Sequence, residues 1–216
     1  RVLPVIEALR ATLPPQVLVS IDTTRAEVAA AALDAGASFV NDVSAGRDDP
    51  ELLPLVAERD VPVVLMHMQG EPATMQQAPD YDDVVAEVAE LLLERAALAV
   101  SAGIDRDAIV IDPGIGFGKR LEHNLALLAG LPMLVSHGFP VLVGTSRKSL
   151  LRTLCGTPPD GDLSGATAAT TALAVAAGAA IFRVHDVRAN RQAADVAWAI
   201  QQASREAGPG LLPPAS

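Results

Sequence analysis

Six short runs of this chain, at residues 17–21, 38–40, 61–66, 109–111, 141–143 and 180–184, are rich in Val, Ile and Leu and apolar along their length. A strand with one wet face alternates polar and apolar residues. A strand without that alternation is buried on both faces, which is the condition of a parallel sheet covered by helices. Between the runs lie Ala-rich stretches with helical periodicity, at about 25–35, 49–59, 81–102, 121–129, 163–177 and 188–205. The clearest is 81–102, where Val84, Val85, Val88, Leu91, Leu92 and Arg95 fall on one face and Gly103 follows as a stop. Gly36, Gly103 and Gly178 each stand where a helix should end. The alternation runs without a break in composition. It predicts one α/β domain over residues 1–205 and a disordered Gly/Pro-rich tail over 206–216. Arg1–Arg10 reads as a helix already under way.

Six parallel strands fit either a doubly wound sheet or part of a (β/α)8 barrel. The polar residues discriminate between them. A doubly wound sheet gathers its chemistry at one switch point, whereas a barrel places it at the C-terminal ends of many strands. Here every run ends in polar groups: Asp22, Asn41-Asp42, His67 with Gln69, Asp112, Ser146-Arg147-Lys148, and Arg183 with His185. Any one of these is explained about as well by a helix cap, and Asp22, Asp42 and Asp186 are well placed for that. Six together point to a shared pocket and to a barrel.

That pocket has two chemical halves. Asp22, Asn41 and Asp112 suit a neutral heterocycle with an amino-pyrimidinone edge, because a carboxylate accepts two parallel N–H bonds. Lys148, Arg183 and His185 suit a phosphate or diphosphate. Arg183 and His185 are two apart on one strand and so share a face.

Other classes are disfavoured. A formal net charge of −10, with no basic run, is a poor match for a nucleic-acid backbone. The single cysteine, Cys155, excludes an internal disulfide or a multi-Cys metal site, and it reads as an inert, partly buried side chain. No apolar run approaches the ~18 residues of a membrane span, so a soluble cytoplasmic protein is expected. The run Asp112-Pro-Gly-Ile-Gly-Phe-Gly-Lys119 lacks the spacing of a P-loop or a dinucleotide fingerprint, and Gly144-Thr-Ser-Arg-Lys148 is not a nucleophile elbow. His123 and His137 read as surface or capping residues, and His67 as a candidate pocket residue.

At these residues the chain resembles the dihydropteroate synthases. The matching strings are Ser20-Ile-Asp-Thr-Thr, Val40-Asn-Asp-Val, Leu65-Met-His-Met-Gln-Gly-Glu-Pro-Ala-Thr-Met-Gln, Asp112-Pro-Gly-Ile-Gly-Phe-Gly-Lys, Gly144-Thr-Ser-Arg-Lys-Ser and Phe182-Arg-Val-His-Asp-Val, in the family's order. The resemblance implies a (β/α)8 TIM barrel. It implies a transferase that joins 6-hydroxymethyl-7,8-dihydropterin diphosphate to p-aminobenzoate for folate synthesis, with Mg2+ as cofactor and sulfonamides as competitors. Carried over, Asp22, Asn41, Asp112 and Lys148 become pterin contacts. Arg183 and His185 become the diphosphate pair, and Phe117, Ser146 and Lys148 neighbours of p-aminobenzoate. Lys148, Arg183 and His185 become the catalytic set.

Two family loops, one Asn-Val-Thr-Pro-Asp-Ser-Phe-like and one Gly-Glu-Ser-Thr-Arg-Pro-like, have no counterpart here. The expectation is therefore an incomplete barrel of about six strands. Its metal-contacting Asn and the loops closing over p-aminobenzoate would lie elsewhere, and turnover by these residues alone would be slight. A pterin-binding methyltransferase of the same superfamily, or an inactive truncated homologue, are the competing readings. The methyltransferase has no need of the cationic half. Dimerisation through late helices, common in the family, and the nearly uncharged stretch 163–177 lead to the expectation of a homodimer.

Overall fold

The computed structural model describes residues 1–70 and 74–206. The expected tail beyond Glu206 lies outside them, as do Glu71, Pro72 and Ala73 of the string that begins at Leu65. Helix α1 (Leu3–Thr12) leads into strand β1 (Ser20–Asp22), and helix and strand then alternate: α2 (Ala26–Asp34), β2 (Phe39–Asp42), α3 (Leu52–Glu58), β3 (Val63–Met66), α4 (Val84–Ser101), β4 (Ile109–Asp112). Two short helices, α5 (Leu121–Ala129) and α6 (Leu131–Ser136), precede β5 (Leu142–Val143). Helices α7 (Ser149–Cys155) and α8 (Ser164–Ala176) precede β6 (Ile181–Phe182), and α9 (Val187–Glu206) follows.

The strands lie side by side in chain order, all parallel. β1 to β4 form one ladder and β5 pairs with β6, and a parallel bridge between Ile111 and Val141 joins the two sets. Sequential order without reversal is the winding of a barrel, not of a doubly wound sheet. β1 and β6 are its edges, and among the described residues neither has a second partner.

Register divides the side chains into two layers. Ile21, Val40, Val63, Leu65, Ile109, Ile111, Val141 and Val143 face outward into the main core, against Ala29, Ala32, Leu52, Val56, Val88, Leu92 and Ala96 of the helices. With aromatics only 3% of residues, small alanines let helices approach the sheet closely and β-branched side chains fill the layer. Val64, Val110 and Leu142, with Phe39, form a separate inner cluster on the concave side. In β2 and β4 that inner layer gives way, two residues on, to the polar side chains of Asn41 and Asp112 at the next inward position.

All six strands and the six expected helices are present, with shifted bounds. Val17 and Leu18 lie before the first ladder and are exposed, because β1 pairs only from Ser20. The helix expected from residue 81 starts at Val84, because the Asp83 side chain accepts from the Val85 and Ala86 amides at 3.0 and 3.1 Å. Helices α6 and α7 were not expected. Pro132 beside Gly130 reads as a turn, but proline is tolerated in the first helical turn. Helix α7 is only seven residues long. Gly36, Gly103 and Gly178 end their helices with φ of 106°, 104° and 95°. Cys155, expected to be partly buried, is exposed at the end of α7.

Helix α4 also serves the strand ends, since Arg95 donates from Nε to the Ala45 carbonyl at 2.7 Å and from Nη2 to that of Gly46 at 3.1 Å. Asp83→Ala removes the cap of this helix. It should lower the free energy of unfolding by about 1 kcal/mol, read from urea denaturation. A change indistinguishable from zero would show that the cap is redundant.

Candidate active site

Asp112 ends β4, near the middle of the sheet, and is 2% exposed. Its Oδ1 accepts from the Gly114 amide at 2.7 Å. That turn requires glycine: φ at Gly114 is 65°, and a Cβ there would lie 1.8 Å from the His67 carbonyl oxygen. Burial pushes the Asp112 carboxyl above its ordinary range. The Gly114 N–H and then Lys148, Arg183 and Lys119 act against that. A carboxylate here has almost no water and depends on these neighbours.

Asp22 and Asn41 are register partners on β1 and β2, and the Asn41 amide donates to Asp22 Oδ2 at 3.0 Å. Arg183, beyond β6, spans the concave side. Its Nη1 lies 3.5 Å from Asp22 Oδ2 and its Nη2 3.5 Å from Asp112 Oδ2. The guanidinium therefore connects the ends of β1, β4 and β6.

Lys148 donates to the Ile115 carbonyl and sits 4.8 Å from the centre of the Phe117 ring. Burial pulls its ammonium down to about 8, against the pull of Asp112 in the other direction. Ser146 Oγ is 2.8 Å from His185 Nδ1 and also accepts from the His185 backbone N–H at 3.2 Å. Phe117, Ser146, Lys148, Arg183, His185 and Asp22 line one cleft of about 320 Å³. Asn41 and Asp112 reach it through Asp22 and Arg183. All eight residues singled out from the sequence thus lie at the same end of the sheet.

The capping alternative holds at Asp186, whose Oδ1 accepts from the Ala189 amide at 3.1 Å at the start of α9. It fails at Asp22, because the first amide of α2, Ala26, donates to Asp49 instead. Asp42 does neither. Fully buried, it accepts from the Ser44 amide, the Ser44 hydroxyl and the Gly46 amide, and so organises the loop behind Asn41. Arg47 ties that loop to the next through the Met68 carbonyl at 2.9 Å. His123 accepts from the Arg120 amide in a capping box. His137 lies 3.2 Å from the Met133 sulfur.

His67 is buried and held by a lysine that sequence reasoning passed over. Lys119 Nζ is 2.9 Å from His67 Nδ1, 3.1 Å from the Gly114 carbonyl and 3.0 Å from that of Phe117. Burial, with Lys119 and Arg47 nearby, takes His67 down to about 3, so it is a neutral acceptor. The available signal was the lysine closing a glycine-rich run just before a helix.

Lys148 gives this site a pH dependence with a definite sign. With its value near 8 the ammonium is charged below that pH and neutral above it. Pyrophosphate affinity of the parent relative to Lys148→Met should therefore be greatest at about pH 7 and fall towards equality by about pH 9. The measurement is titration calorimetry at each pH. A ratio that stays flat to about pH 10 would mean that Lys148 titrates like an exposed lysine.

Comparison with known proteins agrees with this geometry. A family model described as "Pterin binding enzyme" matches residues 1–185. The dihydropteroate synthase of Mycobacterium leprae is 52% identical over 207 residues, covering 92% of this chain and 72% of that protein. That of Synechocystis is 45% identical over 200 residues, covering 93% and 68%. Among solved structures, Yersinia pestis dihydropteroate synthase with a sulfonamide drug superposes with a TM-score of 0.89 at 39% identity, covering 94% of this chain and 73% of that one. The Xanthomonas albilineans enzyme in complex with 7,8-dihydropteroate gives 0.84 at 47% identity, covering 93% and 72%. Aligned across nearly its whole length at this level of identity, the chain belongs to the dihydropteroate synthase family of pterin-binding enzymes.

Proposed function

We propose that this chain binds 6-hydroxymethyl-7,8-dihydropterin diphosphate across the C-terminal strand ends and transfers its pterinylmethyl group to p-aminobenzoate. The observation that supports this most is that Asp22, Lys148, Arg183 and His185 line one cleft, with Asn41 bonded to Asp22 and Asp112 facing Arg183 at its border. The amino-pyrimidinone edge of the pterin presents adjacent N–H donors, and the buried Asp112 carboxylate, whose Oδ1 already accepts from the Gly114 amide, offers its remaining lone pairs to them. Asn41 offers an amide beside it. The diphosphate lies against Arg183, His185 and Lys148.

In the reaction the bond between the pterin methylene carbon and the diphosphate oxygen breaks, and the electron pair leaves on the diphosphate. Arg183, His185 and Lys148 stabilise that growing negative charge from fixed positions. Asp22 and Asp112 face the electron-poor carbon side. The aniline nitrogen of p-aminobenzoate then forms the new C–N bond and gives up one of its protons to water or to the departing diphosphate. Its ring packs at Phe117, with its carboxylate within reach of Lys148 and Ser146. A sulfonamide, sharing the aniline and an anionic end, competes for that place. A methyl-transferring relative would have no use for Arg183, His185 and Lys148 together here.

Magnesium, expected from the resemblance, finds no ligand set among the described residues. No three His, Cys, Asp or Glu side chains gather, the Asp22 and Asp112 oxygens already face donors, and the cleft is lined with cations. Within this reading the enzyme is cytoplasmic. Among the described residues no helix is long and apolar enough to cross a membrane. It pairs as a homodimer through its late helices, a reading supported by Leu173 on α8 and Val196, Trp198 and Ile200 on α9, all more than half exposed.

Asp112→Ala should weaken pterin binding roughly 10- to 100-fold, since unpaired buried donors cost about 1–3 kcal/mol, measured by calorimetry on variants shown to be folded. Affinity within twofold of the parent would remove Asp112 from the site. In the complete protein carrying this sequence, dihydropteroate should form from the two substrates, and Arg183→Ala should slow it about 100-fold or more. Pterin binding without any product would leave a binding protein and overturn the transferase reading.

A further inference from the structure

The loop Gly114–Gly118 carries the aromatic wall of the cleft, yet it makes little regular structure. Its carbonyls are held one by one by side chains from other elements. Lys119 bonds those of Gly114 and Phe117, Lys148 that of Ile115, Gln76 that of Gly116 and Tyr81 that of Gly118 at 2.8 Å. Alternate glycines with φ of 65°, 84° and 61° turn these carbonyls outward. The other three bonds come from Lys148, Gln76 and Tyr81. Lys119 is different: 3% exposed, it lies beneath the loop, and its three partners, His67 Nδ1 and two carbonyls, use all three of its protons.

We infer that Lys119 is a positioning residue of the site, an internal staple that fixes Asp112 from one side and Phe117 from the other. The Gly114 carbonyl it holds belongs to the residue whose N–H fixes Asp112 Oδ1, and the Phe117 carbonyl it holds sets the ring that faces Lys148. His67 completes the staple as an acceptor supplied by the end of β3. An ammonium kept out of water is costly unless fully bonded, and burial does lower Lys119 to about 7. An apolar side chain would fill the same space without that cost but would leave two loop carbonyls free. This role rests on the pterin-binding reading for its consequence in catalysis, but not for its effect on the loop.

The test uses Lys119→Met, which keeps length and removes the donors, with His67→Asn and His67→Leu as a pair. Asn places an acceptor near the position of Nδ1, and Leu removes it. Three readouts are needed: hydrogen exchange at the Gly116 and Phe117 amides, the Kd for 6-hydroxymethylpterin, and kcat and KM for p-aminobenzoate in the complete protein. Lys119→Met should speed exchange in the loop at least about tenfold, weaken pterin about tenfold, and raise the KM for p-aminobenzoate more than it lowers kcat. His67→Leu should follow it, and His67→Asn should stay within about threefold of the parent. If Lys119→Met does not fold, the Asn/Leu contrast decides. A lower melting temperature with parental exchange and Kd, or equal effects of Asn and Leu, would reduce Lys119 to a structural residue and overturn the inference. A parent that binds no pterin defeats the functional reading instead, and loop exchange alone then decides whether the staple exists.

Discussion

The arrangement turns on one carboxylate held almost without solvent at the end of the fourth strand. Asp112 can remain useful as an acceptor only because cations stand around it: Arg183 at 3.5 Å, with Lys148 and Lys119 further out. The two lysines depend in turn on Asp112, which supports their charged state against the burial that lowers them. Bringing these groups together requires the ends of β4, β5 and β6 and the loops after them. A parallel sheet wound in chain order is an economical way to do so, since it delivers every strand's C-terminal end to the same side.

The backbone around the carboxylate is equally constrained. The loop after Asp112 passes so close to the β3 end that a Cβ at Gly114 or Gly118 would meet a carbonyl oxygen, at 1.8 and 2.3 Å. Behind Asn41, the buried Asp42 carboxylate and the Arg95 and Arg47 guanidiniums fix a second loop from three elements. The polar end of the sheet is thus rigid through side chain-to-backbone hydrogen bonds rather than regular structure. Such networks hold a binding geometry without a ligand present.

Much of this was legible in the residues, because burial and chemistry leave different marks. Unalternating Val/Ile/Leu runs exposed the parallel sheet, and polar residues at the strand ends located the site; Arg183 and His185 both reach it, although β6 ends at Phe182 and does not carry them on one strand face. What stayed hidden depended on tertiary contacts. Asp42 looks like a helix cap in sequence, and only the fold shows its carboxylate turned back on Ser44 and Gly46. Lys119 resembles any lysine before a helix until His67, 52 positions away, is seen beside it. Helix α7 is too short for periodicity to mark. Cys155 reads as partly buried from the habit of its residue type, whereas its place at the exposed end of α7 decides otherwise.

The central claim is that one ligand occupies both halves of one cleft. A crystal structure with a non-hydrolysable analogue of 6-hydroxymethyl-dihydropterin diphosphate tests it most directly. The heterocycle's N–H edge should lie on Asp112, with Asn41 beside it and the phosphates on Arg183 and His185. An analogue found instead in the groove of about 700 Å³ lined by Phe182, Arg191, Trp198 and Arg205, or bound without touching Asp112, would contradict the account.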